Sequence, residues 1–173
     1  EGHGVAQDFE RAAHYYFRGA ELGDTEAAFA LAVLLVQGRG VDKNYAGAAE
    51  LFERAALKGH ALATYNLGLL FLSGNGKPEN PIRAAQLIAY AAEKGVPAAQ
   101  YDLGGLYQKG VGVEPSAYEA ARWISKAAAR GLPEAQYEYA VMLLRGFGYK
   151  DEERKAPELM EAVSAFFERR QPD

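Results

Sequence analysis

The chain has 173 residues, 49% of them hydrophobic and 24% charged, a balance that suits one sizeable folded domain and argues against disorder. It contains no cysteine, which excludes disulfide scaffolds, thiolate nucleophiles, CxxC redox sites and cysteine-ligated zinc. A net charge of -4 offers no basic field to gather phosphates, so neither nucleic acid nor an anionic membrane surface is expected as the main partner.

No apolar run approaches the roughly 20 residues needed to span a bilayer, so membrane insertion is not expected. The chain opens on Glu1 rather than a methionine and shows no leader-like start, so it reads as a piece of something longer. Glycine pairs recur at a constant step of 36 residues: Gly2 with Gly4, Gly38 with Gly40, Gly74 with Gly76, Gly110 with Gly112 and Gly146 with Gly148. A second series, Gly23, Gly59, Gly95 and Gly131, keeps the same step, each preceded by a small pair such as Ala55-Ala56, Ala91-Ala92 or Ala127-Ala128. The stretches between these points are too long for strands and rich in Ala, Leu and Glu, so each repeat reads as two helices, A and B.

In chain order the first helix is a B helix over 8–22, capped by Asp8 and closed by Gly23 in a left-handed conformation. An A helix follows over 25–37, then B over 44–58 behind Asn44, A over 61–73 and B over 81–94 behind Asn80. The next A helix, 97–109, starts on Pro97, which lacks only a donor that the first turn does not use. B over 116–130 is capped by Ser116, A over 133–145 starts on Pro133, and a last helix near 156–170 makes nine, five of type B and four of type A. Lys58, Lys94 and Arg130 fall in the last turns of B helices, where a cation complements the helix dipole.

The string Ala99-Gln100-Tyr101-Asp102-Leu103-Gly104, followed by Leu106-Tyr107, Gly110-Val111-Gly112-Val113, Ala120, Trp123 and Ala127-Ala128 before Gly131, resembles the Sel1-like repeat, a glycine-punctuated relative of the tetratricopeptide repeat. Ala63-Thr64-Tyr65-Asn66-Leu67-Gly68 and Ala135-Gln136-Tyr137-Glu138 repeat the signature on either side. The resemblance implies an all-α, right-handed α-solenoid with helices A lining its inner face. It reads as a single repeat domain over 1–173, with a partial first unit at 1–23 and full repeats at 24–59, 60–95 and 96–131. The C-terminal unit, 132–173, is atypical: its last helix carries Ser164 and Phe167 where the small pair and glycine belong, as a capping helix would. The resemblance also implies a bacterial protein, often of the envelope or periplasm; no asparagine here begins a glycosylation sequon.

Candidate chemistry is sparse. The glycine pairs follow helices rather than strands and lack a Gly-Lys-Ser/Thr sequence, so no nucleotide or other cofactor is expected. His3, His14 and His60 have no metal-ligand spacing and read as surface or packing residues, and no catalytic or metal site is assigned. Asp102 and Glu138 stand at equivalent places in successive repeats, as in a solvated row rather than an acid/base pair.

On each A helix one stripe, such as Ala63, Leu67, Leu70 and Phe71, must pack on helix B. The opposite face is also apolar and carries Tyr65, Tyr101 and Tyr137, each followed by Asn66, Asp102 or Glu138. Two readings of this row stand: successive A helices cover it, or it faces a groove that holds a protein or peptide. The six residues Tyr65, Asn66, Tyr101, Asp102, Tyr137 and Glu138 are the candidate partner-binding set of a non-enzymatic interaction scaffold. The competing reading is an enzyme, or an enzyme-associated envelope protein, acting on cell-wall material. Helix 8–22 has no helix A ahead of it in this sequence, so further repeats, end-to-end contacts or a dimer are expected to cover its apolar residues.

Overall fold

The structure, a computed structural model, describes residues 7–148. Asp8, Asn44 and Ser116 sit in extended backbone and Asn80 at φ -150°, ψ 88°, and each accepts a hydrogen bond from the amide three residues on, at 2.9 Å for Asp8, Asn44 and Asn80 and 3.2 Å for Ser116. A side chain thereby satisfies one of the orphan donors of each first turn, and the B helices begin there. They are α1 (Phe9–Glu21), α3 (Tyr45–Leu57), α5 (Pro81–Glu93) and α7 (Ala117–Ala129). The A helices are α2 (Thr25–Gln37), α4 (Ala61–Ser73), α6 (Pro97–Lys109) and α8 (Pro133–Arg145), with the bounds the sequence implies. The expected ninth helix, the Gly2-His3-Gly4 turn and His3 lie outside the described residues.

Most B helices are shorter by a residue at each end than the sequence implies, because Asp8, Asn44 and Ser116 are caps and Leu22, Lys58 and Arg130 leave helical geometry. Every A helix closes on a left-handed glycine, Gly38, Gly74, Gly110 or Gly146, with φ from 63° to 71°.

The chain forms two compact units, Glu1–Lys94 and Gly95–Asp173. In the first, α1 packs on α2, α2 on α3, α3 on α4 and α4 on α5; in the second, α6 packs on α7 and α7 on α8. Phe52, 1% exposed, anchors the core of the first unit among Ala32, Ala48, Ala49, Ala63 and Leu67. Ile124, fully buried, does so in the second among Ala120, Ala127, Ala135 and Met142. Ile88 holds the matching place on α5, so one register position supplies three of the largest fully buried side chains.

The side chains opposite that position are small. A Cβ on Gly68 would stand 2.9 Å from Ile88 Cγ1, and one on Gly104 only 2.5 Å from Ile124 Cγ1. The glycine of the Ala-x-Tyr-x-Leu-Gly signature is therefore the slot into which helix B drives its isoleucine. The alanine pairs serve the same close approach: Ala55, Ala91, Ala92 and Ala127 are all at most 1% exposed.

Lys58 acts differently from the expectation. Its Nζ donates to the Gly23 carbonyl at 2.5 Å, and Arg54 Nη2 donates to the Ala20 carbonyl at 2.7 Å. Arg54 of α3 and Lys58 just past its end thus place their charges at the carbonyl end of the preceding B helix, one repeat back, where the helix dipole favours a cation.

Candidate functional site

Within the second unit the repeat signature builds one polar cluster on the A helices. Tyr101 lies on α6 and Glu138 on α8, one period plus one residue apart, and the phenol donates to Glu138 Oε2 at 2.8 Å. Gln108 Nε2, two turns along α6, donates to Glu138 Oε1 at 2.8 Å, so both carboxylate oxygens accept from one neighbouring helix. Glu138 is half-buried and bonded on both oxygens, which corrects the picture of a freely solvated carboxylate row. The hydrogen bond to this carboxylate, with burial and its negative charge, pushes the Tyr101 phenol up from the usual 10.0 to about 12.

A raised phenol pKa favours the neutral form in the fold. Its contribution to stability is complete below pH 10 and is lost as pH rises through about 12. The 295 nm absorbance difference between the wild type and Tyr101→Phe should therefore isolate a phenol titrating near 12. Glu138→Gln should return that titration toward 10. A midpoint unmoved by Glu138→Gln would show that the bond is absent in solution.

The other candidate residues are placed as follows. Tyr137, beside Glu138 on α8, is 75% exposed, and Leu144, two turns on, is 74% exposed. Asp102 on α6 is half-buried and already engaged in an interaction. In the first unit, α4 carries Tyr65 and Asn66, both half-buried. Asn66 Nδ2 donates to the Leu62 carbonyl of its own helix at 2.8 Å. The aromatic row is thus neither uniformly covered nor uniformly open: Tyr65 and Tyr101 are half-buried, Tyr137 stands free.

Sequence reasoning missed two features. Gln108 carries no repeat signature, although the 37-residue step from Tyr101 to Glu138 was visible and marks a bond between consecutive A helices. His60 does more than fill a turn: Nδ1 accepts from the Ala63 amide at 3.0 Å, which makes it the N-cap of α4. Its ring stacks on Phe29 at 4.6 Å, and Nε2 lies 3.2 Å from Glu26 Oε1. Among the described residues no group of three or more His, Asp or Glu is arranged to hold a metal ion, and no helix is long and apolar enough to cross a membrane.

The Sel1 repeat profile matches residues 1–24, 25–60, 61–96, 97–132 and 133–161. The chain belongs to the Sel1 repeat family. Among solved structures it is similar to c5321, a protective antigen of uropathogenic Escherichia coli displaying an SLR fold. That match has 30% identity and a TM-score of 0.81, and it covers 95% of this chain and 35% of that one. A Sel1 repeat protein from Oxalobacter formigenes matches at 30% identity and a TM-score of 0.76, over 94% of this chain and 67% of that one. Helicobacter pylori cysteine rich protein B, at 21% identity and a TM-score of 0.61, covers 79% of this chain and 99% of its own, and supports the fold alone. This Sel1 chain spans about a third of the E. coli antigen's length. No curated protein matches the chain. The fold is the all-α helical-repeat solenoid that the repeat signature implies, and its solved relatives come from bacteria. The Sel1 repeat is commonly a scaffold for protein interaction, and the family is generally non-catalytic.

Proposed function

We propose that this Sel1 chain is a non-enzymatic adaptor that grips a peptide or protein segment on the exposed face of its A helices. The observation that carries the reading is Tyr137, 75% exposed on a helix whose neighbouring residue is locked to α6 by two hydrogen bonds. A large aromatic held on a rigid backbone offers contact area at little entropic cost, which is the property of binding hot spots. Tyr101 supplies the edge of that surface, with its hydroxyl already committed to Glu138. Asp102, already engaged in an interaction, adds negative charge to this face of α6, while Tyr65 and Asn66 hold the same register on α4 in the first unit.

The test uses peptides selected against the whole chain from a random library. Tyr137→Ala should weaken the selected peptides at least tenfold while shifting the melting temperature by no more than about 2 °C, because truncating an exposed side chain removes little packing. Undiminished affinity in that variant would refute the reading.

A further inference from the structure

The B helices of the first unit carry a groove that recurs from one repeat to the next. Between α1 and α3 it has a volume of about 560 Å³ and a floor of Leu31 and Leu35 from α2. Between α3 and α5 it has a volume of about 500 Å³ and is floored by Leu67 of α4. The two are the same place in the fold: Ala20, Leu31, Leu51 and Arg54 of the first become Ala56, Leu67, Leu87 and Tyr90 of the second, one period on. Differences between them are therefore differences of side chain, not of backbone.

Those differences are chemical. The first groove is lined by three carboxylates, Glu10, Glu21 and Glu50, and by a single guanidinium, Arg54. Arg54 is committed, donating to the Ala20 carbonyl and lying 3.9 Å from Glu21. Glu10 on α1 and Glu50 on α3 stand on opposite walls and form no ion pair among the described residues. Phe17 adds an aromatic, 56% exposed, at a register where later repeats place Glu53, Ala89 and Ser125. In the second groove Glu53 is neutralised by Lys77 at 3.0 Å, and Arg83 replaces Gly47. Only the first groove joins an open apolar floor to uncompensated negative charge.

We propose that the α1–α3 groove docks a basic segment of a partner protein, with one apolar side chain against Phe17 and Leu31 and a Lys or Arg on either side facing Glu10 and Glu50. The apolar anchor supplies the buried area. The two carboxylates select a cationic partner and steer its approach, so binding weakens as salt screens them. This surface lies on B helices and stands independently of the A-helix surface described above.

The probe is a fluorescein-labelled, capped peptide of sequence KKLWKK, with EELWEE as its charge-reversed counterpart, followed by anisotropy on the whole chain. KKLWKK should bind at least tenfold more tightly than EELWEE and lose affinity as salt is raised. Glu10→Lys combined with Glu50→Lys should weaken it at least tenfold, and Phe17→Ala at least threefold, with helical circular dichroism unchanged. Amide shifts on α1, α2 and α3 should mark the site. Equal binding of the two peptides, indifference to the charge reversal in a folded variant, shifts confined to α6 and α8, or no binding would each overturn the proposal. So would a concentration-dependent dimer abolished by Glu50→Lys, which would assign the groove to a second copy of the chain.

Discussion

Gly76→Ala should be among the most damaging single-methyl additions to this chain, while Gly74→Ala, two residues away, should cost far less. Both glycines are left-handed, at φ 72° and 71°, so both substitutions carry the strain of an L side chain there, about 1 to 2 kcal/mol. The surroundings separate them. A Cβ at Gly74 would meet only Glu79, with its nearest atom at 3.5 Å, an ordinary contact. A Cβ at Gly76 would be driven into the carbonyl carbon and oxygen of Tyr45, the first residue of α3. Backbone cannot rotate away as a side chain can, so α3 must shift on α4, adding on the order of 1 to 3 kcal/mol. Gly40 faces the first residue of α1, Phe9, and Gly148 faces that of α7, Ala117, in the same way. The second glycine of these three pairs, Gly40, Gly76 and Gly148, is thus needed for both conformation and space. Urea unfolding of the two variants checks this, and equal midpoints would show that conformation alone sets the requirement.

The slot between helices A and B should show strong coupling between its two sides. Ile124 is fully buried, and its removal in Ile124→Ala should cost about 2 to 5 kcal/mol through lost burial and the cavity left behind. Gly104→Ala should also destabilise, by about 1 to 3 kcal/mol, because the new methyl would lie 2.5 Å from Ile124 Cγ1 and 3.1 Å from the Ala120 carbonyl. In the double variant the methyl enters space the isoleucine has vacated, so the combined loss should fall short of the sum by about 1 kcal/mol or more. Strict additivity would mean that the two residues do not share the slot. Gly105 is the control: a Cβ there meets nothing within 4 Å, so Gly105→Ala should stabilise by about 0.5 to 1 kcal/mol through helix propensity.

These contrasts show how far the sequence could be read. Bounds of the A helices and the four polar caps of the B helices were legible because they follow from local backbone chemistry: a proline or polar cap in front, a glycine behind. The family was legible for the same reason, since its signature is punctuation at a fixed step. What stayed hidden depends on side-chain direction. Periodicity pairs Tyr101 with Tyr137 and Asp102 with Glu138, but only the rotamers decide whether the Tyr101 phenol points outward or across to Glu138 on the next A helix. Lys58 is similar: its long side chain could serve its own helix end or reach the preceding one, and its sequence position does not choose. The charge contrast between the two B-helix grooves required knowing that Lys77 neutralises Glu53 while Glu50 stands open.

Placement of the partner on the A helices is tested most directly by site-specific photo-crosslinking. A benzophenone amino acid is introduced in separate variants at position 137 on α8 and at position 118, an exposed tyrosine on the B helix α7 of the same unit. A library-selected peptide is then irradiated with each variant. The account predicts a covalent adduct from position 137 and none from position 118; adducts from 118 alone would contradict it.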